Sequence, residues 1–311
     1  MGVATMEQYL SPATLARVKD LPLIAKTVAD GFLHGMQNSL LRGTGIEFSQ
    51  YRAYEPGDPL SRIDWKLFGR SDRYFIRQAE QESETTIWIV LDCSASMNVS
   101  EQNSPWSKLE YAKHLAATFG YIAQQQGDNL GFLALSTQGI TCLPPGSGIK
   151  QWQRMIGKLT TLKSGEVFPD SKLFNYYTSA LQQPNLVFVI SDFYQQNQEI
   201  NDFLQQIHIS NNEVVAIQLQ TEQELSFDYK GVTRFKDLET GEELLLDAKT
   251  AKEQYFANFI EQQQQLKSEL DALGIALHYF NINEPMDAIL AEYLNARFQI
   301  ASSIVYKKAV R

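Results

Sequence analysis

The sequence predicts an α/β fold in which a mostly parallel sheet carries helices on both faces. Three observations predict it. Continuous apolar runs recur from residue 87 onward, at 87–91, 130–135, 186–190, 214–219 and 275–280. Segments of helical periodicity separate most of them, and strands buried on both faces read as unbroken rather than alternating apolar runs. Two of the runs lead into an aspartate, Asp92 and Asp192, and open sheets of this kind place ligands outside the carboxyl ends of their strands.

The elements follow in chain order. Residues 1–84 read as an N-terminal helical and irregular segment, and 85–298 as the α/β domain, followed by a tail at 299–311. After the first run, Ser104-Pro105 supplies a cap residue and a proline suited to the first helical position. Leu109, Ala112, Leu115, Ala116, Phe119, Ile122 and Ala123 then share one helical face, and Gly127 is a natural stop. The run at 130–135 precedes a short strand around 140–143 beside Pro144-Pro145-Gly146, then helices around 148–162 and 171–182. A helix near 197–208 separates the third and fourth runs. Residues 221–247 interrupt the alternation: 233–236 and 243–246 flank Thr240-Gly241 as an inserted β-hairpin, either a solvent-facing excursion or an arm for a partner. A long helix near 248–273 contains Gln262 to Gln265, a solvated face because Phe256, Phe259, Ile260, Leu266 and Leu270 flank it at helical spacing.

Composition narrows the function. With 44% hydrophobic and 20% charged residues over 311 positions, the chain has material for a large core. A net charge of −9 disfavours nucleic acid as a partner, because that binding draws on phosphate neutralisation by Lys and Arg. Cys93 and Cys142 do not make a disulfide scaffold, and His34, His114, His208 and His278 show no metal-type spacing. No apolar run approaches a membrane span and the N-terminus lacks a signal pattern, so the expected location is cytoplasmic.

The chemistry concentrates in Asp92-x-Ser94-x-Ser96. A carboxylate and two hydroxyls at alternate positions past a strand end can turn toward one point, and that donor set suits magnesium or another hard divalent cation. The same residue types also cap helices and make turns. Asp192, at a second strand end, is the natural companion carboxylate.

Residues 43–77 have a different texture. From Glu47 to Arg77 there are six basic and five acidic residues among aromatics and prolines, which points to an irregular layer held by Arg–carboxylate pairs such as Arg52 or Arg62 with Asp58 or Asp64. Its motifs are Gly43-x-Gly45-x-Glu47-Phe48, Tyr51-Arg52-x-Tyr54-x-Pro56-Gly57-Asp58 and Arg62-Ile63-Asp64-Trp65, with Asp92-x-Ser94-x-Ser96-Met97 following 27 residues after Trp65. In that order the set resembles the bacterial family known as domain of unknown function 58.

The resemblance implies a von Willebrand factor A-like (Rossmann-type) sheet with a metal-ion-dependent adhesion site at its top. It implies a protein-interaction role without enzymatic activity, as partner or adaptor of a MoxR-type AAA+ ATPase. Carried over by position, Asp92, Ser94, Ser96 and Asp192 become the ligands of a divalent cation, magnesium or manganese. The middle loop departs from the pattern: 163–171 has no threonine, and Ser164, Asp170 or Ser171 stand where one is expected. Pro59 also replaces an acidic residue that many relatives carry. Two other readings use the same residues. One is a metal-dependent hydrolase or phosphoryl-transfer enzyme, which lacks a motif-placed base or nucleophile elbow. The other is a structural module with a degenerate, metal-free loop.

Overall fold

A short antiparallel pair, β1 (Tyr51–Ala53) with β2 (Phe75–Arg77), precedes the central sheet. The sheet is built from β3 (Thr86–Asp92), β4 (Asn129–Leu135), β5 (Thr141–Gly146), β6 (Leu186–Ser191), β7 (Glu213–Gln220) and β10 (Ala276–Asn281). The computed structural model describes residues 12–16, 18, 20–42, 51–53, 74–77 and 85–296, apart from 102–103, 138, 166, 170–176, 178–180, 182–184, 195–197, 210–211 and 237–242. Across the sheet the order is β5-β4-β3-β6-β7-β10, parallel throughout except for antiparallel β5. In chain order this is the doubly wound arrangement, and it reverses direction between β3 and β6.

Two apolar layers sandwich the sheet, as the unbroken strand runs require. One face of the strands (Ile87, Ile89, Leu91, Phe132, Phe188) packs under α2 (Leu21–Arg42), α3 (Lys108–Gln125), α4 (Ile149–Thr161) and the helix at 287–296. N-terminal to these, α1 is a single turn, Pro12–Leu15. In this layer Tyr293 stacks on both Phe119 and Phe188, with ring centroids 4.5 and 5.0 Å away. The other face (Trp88, Val90, Leu133, Val187, Val189) packs under α5 (Glu199–Ile209) and α7 (Ala248–Ala272). Ile24, Ala25, Val28 and Ala29 of α2 are buried in the same cluster as α3, so the N-terminal helix is part of the main core.

The observed elements refine the sequence reading in four places. Ser104-Pro105 does not start α3: Ser104 Oγ donates to the Trp106 carbonyl in a turn, and Ser107 is the cap, accepting from the Glu110 N–H. The strand expected at 140–143 runs on through Pro144 and Pro145, which an edge strand with a register shift opposite Leu130 and Phe132 tolerates. A short helix, α6 (Glu222–Ser226), precedes the hairpin and had been missed, although Thr221-x-x-Glu224 is a capping box. The helix at 287–296 was also not anticipated. The hairpin itself is present as β8 (Val232–Lys236) and β9 (Glu243–Asp247), with Val232, Leu244 and Leu245 more than half exposed. Most of the predicted helix at 171–182, and most of the motif-rich stretch with its Arg–carboxylate pairs, lie outside the described residues.

Trp88 on β3 lies opposite Gly131 on β4, and a Cβ at 131 would stand 2.6–2.8 Å from three atoms of the indole. Overpacking of this kind typically costs about 1–3 kcal/mol. Gly131→Ala is therefore expected to lower the thermal midpoint by several degrees, and an unchanged midpoint in a denaturation scan would contradict the packing described.

Candidate functional site

The reversal of strand order opens a crevice between the carboxyl ends of β3 and β6, and the sequence-predicted residues meet there. Asp92 is the last residue of β3 and Asp192 the first after β6; both are buried. Asp92 Oδ1 accepts from the Ser94 N–H at 2.8 Å, which folds the chain back over the strand end. Asp92 Oδ2 accepts from Ser191 Oγ at 2.6 Å, and the same oxygen of Ser191 accepts from the Phe193 N–H at 2.8 Å. Ser96 Oγ donates to Asp192 Oδ1 at 3.1 Å, and the Ser94 and Ser96 hydroxyls are hydrogen-bonded to each other at 3.0 Å. Asp192 Oδ1 also accepts from the Tyr194 N–H at 3.2 Å. Asp92, Ser94, Ser96 and Asp192 thus form one hydrogen-bonded group.

Three further side chains complete the site. Lys108, in the first turn of α3, has no exposed surface; its ammonium donates to Asp192 Oδ2 at 3.1 Å and to Glu224 Oε1 at 2.6 Å. It also lies 5.1 Å from the centre of the Tyr194 ring, so the ammonium is enclosed by two carboxylates and an aromatic face. Glu224 uses its other oxygen to accept from the Thr221 N–H, closing the capping box of α6. Gln218 holds the Asp192 backbone carbonyl at 3.0 Å. Of these, Glu224 had a readable local signal in the capping box; Lys108 and Gln218 reach the site through tertiary packing that spacing does not encode.

The middle loop also arrives at this end of the sheet. Lys113 Nζ donates to the Leu162 carbonyl at 2.9 Å, and the Gly165 N–H donates to the Cys93 carbonyl at 2.6 Å. A Cβ at 165 would stand 2.1 Å from Ser136 Oγ, so a larger residue there would force the Ser136 hydroxyl to turn away where this loop lies against the Asp92 loop. Ser164 is half-buried beside it; Asp170 and Ser171 lie outside the described residues.

The electrostatics follow from burial. Loss of water, then the Asp192 charge, push the Asp92 carboxyl up to about 7 against the hydrogen bonds from Ser191 and Ser94. Burial pulls the Lys108 ammonium down, but Asp192 and Glu224 outweigh it and hold the group above its ordinary value. Two carboxylates and two hydroxyls converging, with Asp92 short of positive charge, are a donor set that fits a hard divalent cation. Among the described residues there is no grouping of three His, Cys, Asp or Glu side chains able to hold a metal, so any cation here relies on hydroxyl oxygens.

A sequence profile described as protein of unknown function DUF58 matches residues 50–266. The chain belongs to the DUF58 family. An uncharacterized protein of Mycobacterium tuberculosis is 28% identical to this DUF58 chain over 186 residues, 58% of this chain and 58% of the relative. The chain thus spans less than two thirds of the curated relatives it matches. Among solved structures, BatB of Bacteroides thetaiotaomicron is similar at 16% identity over 70% of this chain and 99% of its own, with a TM-score of 0.44. The SpRpn10 VWA domain is similar at 11% identity over 67% and 94%, with a TM-score of 0.41. The fold of this DUF58 protein is a doubly wound sheet with an antiparallel edge and an Asp-x-Ser-x-Ser loop at its switch point.

The raised Asp92 group has a defined pH signature. Its contribution to stability is complete below about pH 4, where the carboxyl is protonated in both folded and unfolded chains, and is lost as pH rises through about 7. In chelator, Asp92→Asn should match wild type near pH 4 and exceed it by several degrees at pH 8. A midpoint difference that stays flat across that range would show that Asp92 carries no buried charge.

Proposed function

We propose that this protein is a non-enzymatic interaction module whose site holds a divalent cation, magnesium or manganese, through Asp92, Ser94, Ser96 and Asp192. The observation that carries the reading is the meeting of two buried carboxylates and two linked hydroxyls at the switch point, with one ammonium among them. Ligation by so few protein groups leaves positions on a hard cation for a partner's carboxylate. The partner is an AAA+ ATPase of the MoxR type, as the family resemblance implies, and the protein acts as its adaptor. The exposed hairpin, with Val232, Leu244 and Leu245 in solvent, gives a second surface on the same chain.

A hydrolase reading has less support. Lys108 is held protonated between Asp192 and Glu224 and is not a base, and neither Ser94 nor Ser96 sits in a Gly-x-Ser-x-Gly nucleophile elbow. A metal-free structural module draws on one observation, the occupation of every carboxylate oxygen of Asp92 and Asp192 by an internal donor. No described helix is long and apolar enough to cross a membrane.

Titration with magnesium and manganese is expected to raise the thermal midpoint of wild type and leave Asp92→Ala and Ser96→Ala unmoved. Capture of the purified cognate ATPase should fall at least about tenfold on chelation and in Asp92→Ala, the loss of one charged contact at a site of this kind. Equal capture by wild type and Asp92→Ala, with and without chelator, would refute the cation-bridged adaptor. Absence of any ion-induced shift in wild type at millimolar concentration would favour the structural module.

A further inference from the structure

A lysine with no exposed surface is unusual unless paired, and Lys108 is paired twice, with Asp192 and Glu224. Fold stability is a poor account of it, since a buried ion pair is commonly no better than apolar packing of the same volume. Its position is more informative. Lys108 Nζ holds Asp192 Oδ2, while Asp192 Oδ1 accepts from the Ser96 hydroxyl, which is linked in turn to that of Ser94. The ammonium therefore takes one oxygen of a carboxylate whose other oxygen belongs to the ion site. Glu224 touches none of Asp92, Ser94, Ser96 or Asp192 in the hydrogen bonds of the site, yet it shares the same ammonium at 2.6 Å.

We propose that Lys108 sets the affinity of this site for a divalent cation, and that Glu224, from outside the ligand group, adjusts the setting by drawing part of the ammonium's charge away from Asp192. This rests on the ion-site reading above and assigns Lys108 and Glu224 as positioning residues that do not touch the ion. With all three ionised, as a bound cation requires, the carboxylates of Asp92, Asp192 and Glu224 against one ammonium leave two negative charges, the amount that one divalent cation neutralises. Removing Lys108 leaves a third negative charge and frees Asp192 Oδ2. Removing the Glu224 charge leaves one negative charge and turns the whole ammonium onto Asp192. The two changes push ion affinity in opposite directions. A scaffolding role predicts otherwise, because loss of either partner would loosen the Asp192 loop and weaken binding in both cases.

The test is isothermal titration with manganese and magnesium chloride on the full chain as wild type, Lys108→Met, Glu224→Gln and the double variant, with the fold of each checked by circular dichroism in chelator. Methionine keeps the buried stem of Lys108, and glutamine at the third helical position still serves a capping box. Lys108→Met should bind manganese roughly tenfold or more tightly than wild type and Glu224→Gln roughly threefold or more weakly, because charges this close interact strongly in a buried setting. The double variant should fall between them. Weakening in both single variants, or no change in either while wild type responds, overturns the role of Lys108 and leaves the ion site standing. If Lys108→Met does not fold, Glu224→Gln decides: equal or tighter binding overturns the proposal. Silence of wild type with a response in Lys108→Met supports it, since the ammonium is then what suppresses the ion. Silence of every folded protein removes the ion site and this role with it.

Discussion

Parallel pairing of β3 with β6 is the constraint on which the rest of the site depends. Register places Leu91 against Ile190, so the chains leave the sheet side by side and deliver Asp92 and Asp192 into one buried space. Two like charges there are costly, and the surroundings are organised around that cost. Ser191, the residue before Asp192, bonds Asp92 across the strand pair; the Asp92 loop turns back so that Ser94 can donate to it; Ser96 and Lys108 divide the oxygens of Asp192. Asp92 is cut off from water and faces the Asp192 charge, which is why its carboxyl rises to about 7. A divalent cation between the carboxylates would remove the repulsion that the sheet imposes, so that ion and fold would stabilise each other there.

Helix α3 is the second organising element. It lies between α2 and the sheet with 15 of its residues buried, so Lys108, with no exposed surface, must find its partners inside the protein. Lys108 ties the helix to the loop after β6 and Lys113 ties it to the start of the middle loop, while its N-cap Ser107 closes the segment that leaves the Asp92 loop. One rigid rod therefore indexes all three loops at the mouth of the sheet. Through Glu224 the same rod reaches α6, whose terminal Phe227 takes a left-handed conformation and packs on Phe235 of the hairpin and Tyr255 of α7. The hairpin is thus an arm joined to the site by a short chain of contacts rather than a loose excursion.

How much of this was legible follows from the range of each interaction. The sheet strands announced themselves because burial on both faces demands unbroken apolar runs, and the observed ends differ by a residue or so. The Thr240-Gly241 signal marked the hairpin because turn chemistry is local. Asp92, Ser94, Ser96 and Asp192 were legible because strand ends in an open α/β sheet converge, and they meet as expected. The start of α3 was misplaced because Ser104 and Ser107 are both plausible caps, and the choice depends on the turn that Ser104 makes with Trp106. Lys108 was invisible for a different reason. Sequence shows a lysine in the first turn of a helix, where a cation opposes the helix dipole, and nothing local says that two carboxylates 84 and 116 positions away will receive it.

That unfavourable placement is itself informative. Ammonium at a helix N-terminus, without water, is tolerated only because Asp192 and Glu224 enclose it, and neither carboxylate could replace it with a hydrogen bond from a neutral group of the same strength. The consequence reaches the open face of the site. Were Asp92, Asp192 and Glu224 all uncompensated, a bound divalent cation would still leave net negative charge, and an approaching carboxylate would be repelled. With Lys108 present a site holding a divalent cation would be neutral, and the cation's remaining positions would keep their attraction for an acidic side chain. A docking centre needs a charge that stays fixed while a partner arrives, and under the proposed reading the enclosed ammonium supplies one at the mouth of the sheet.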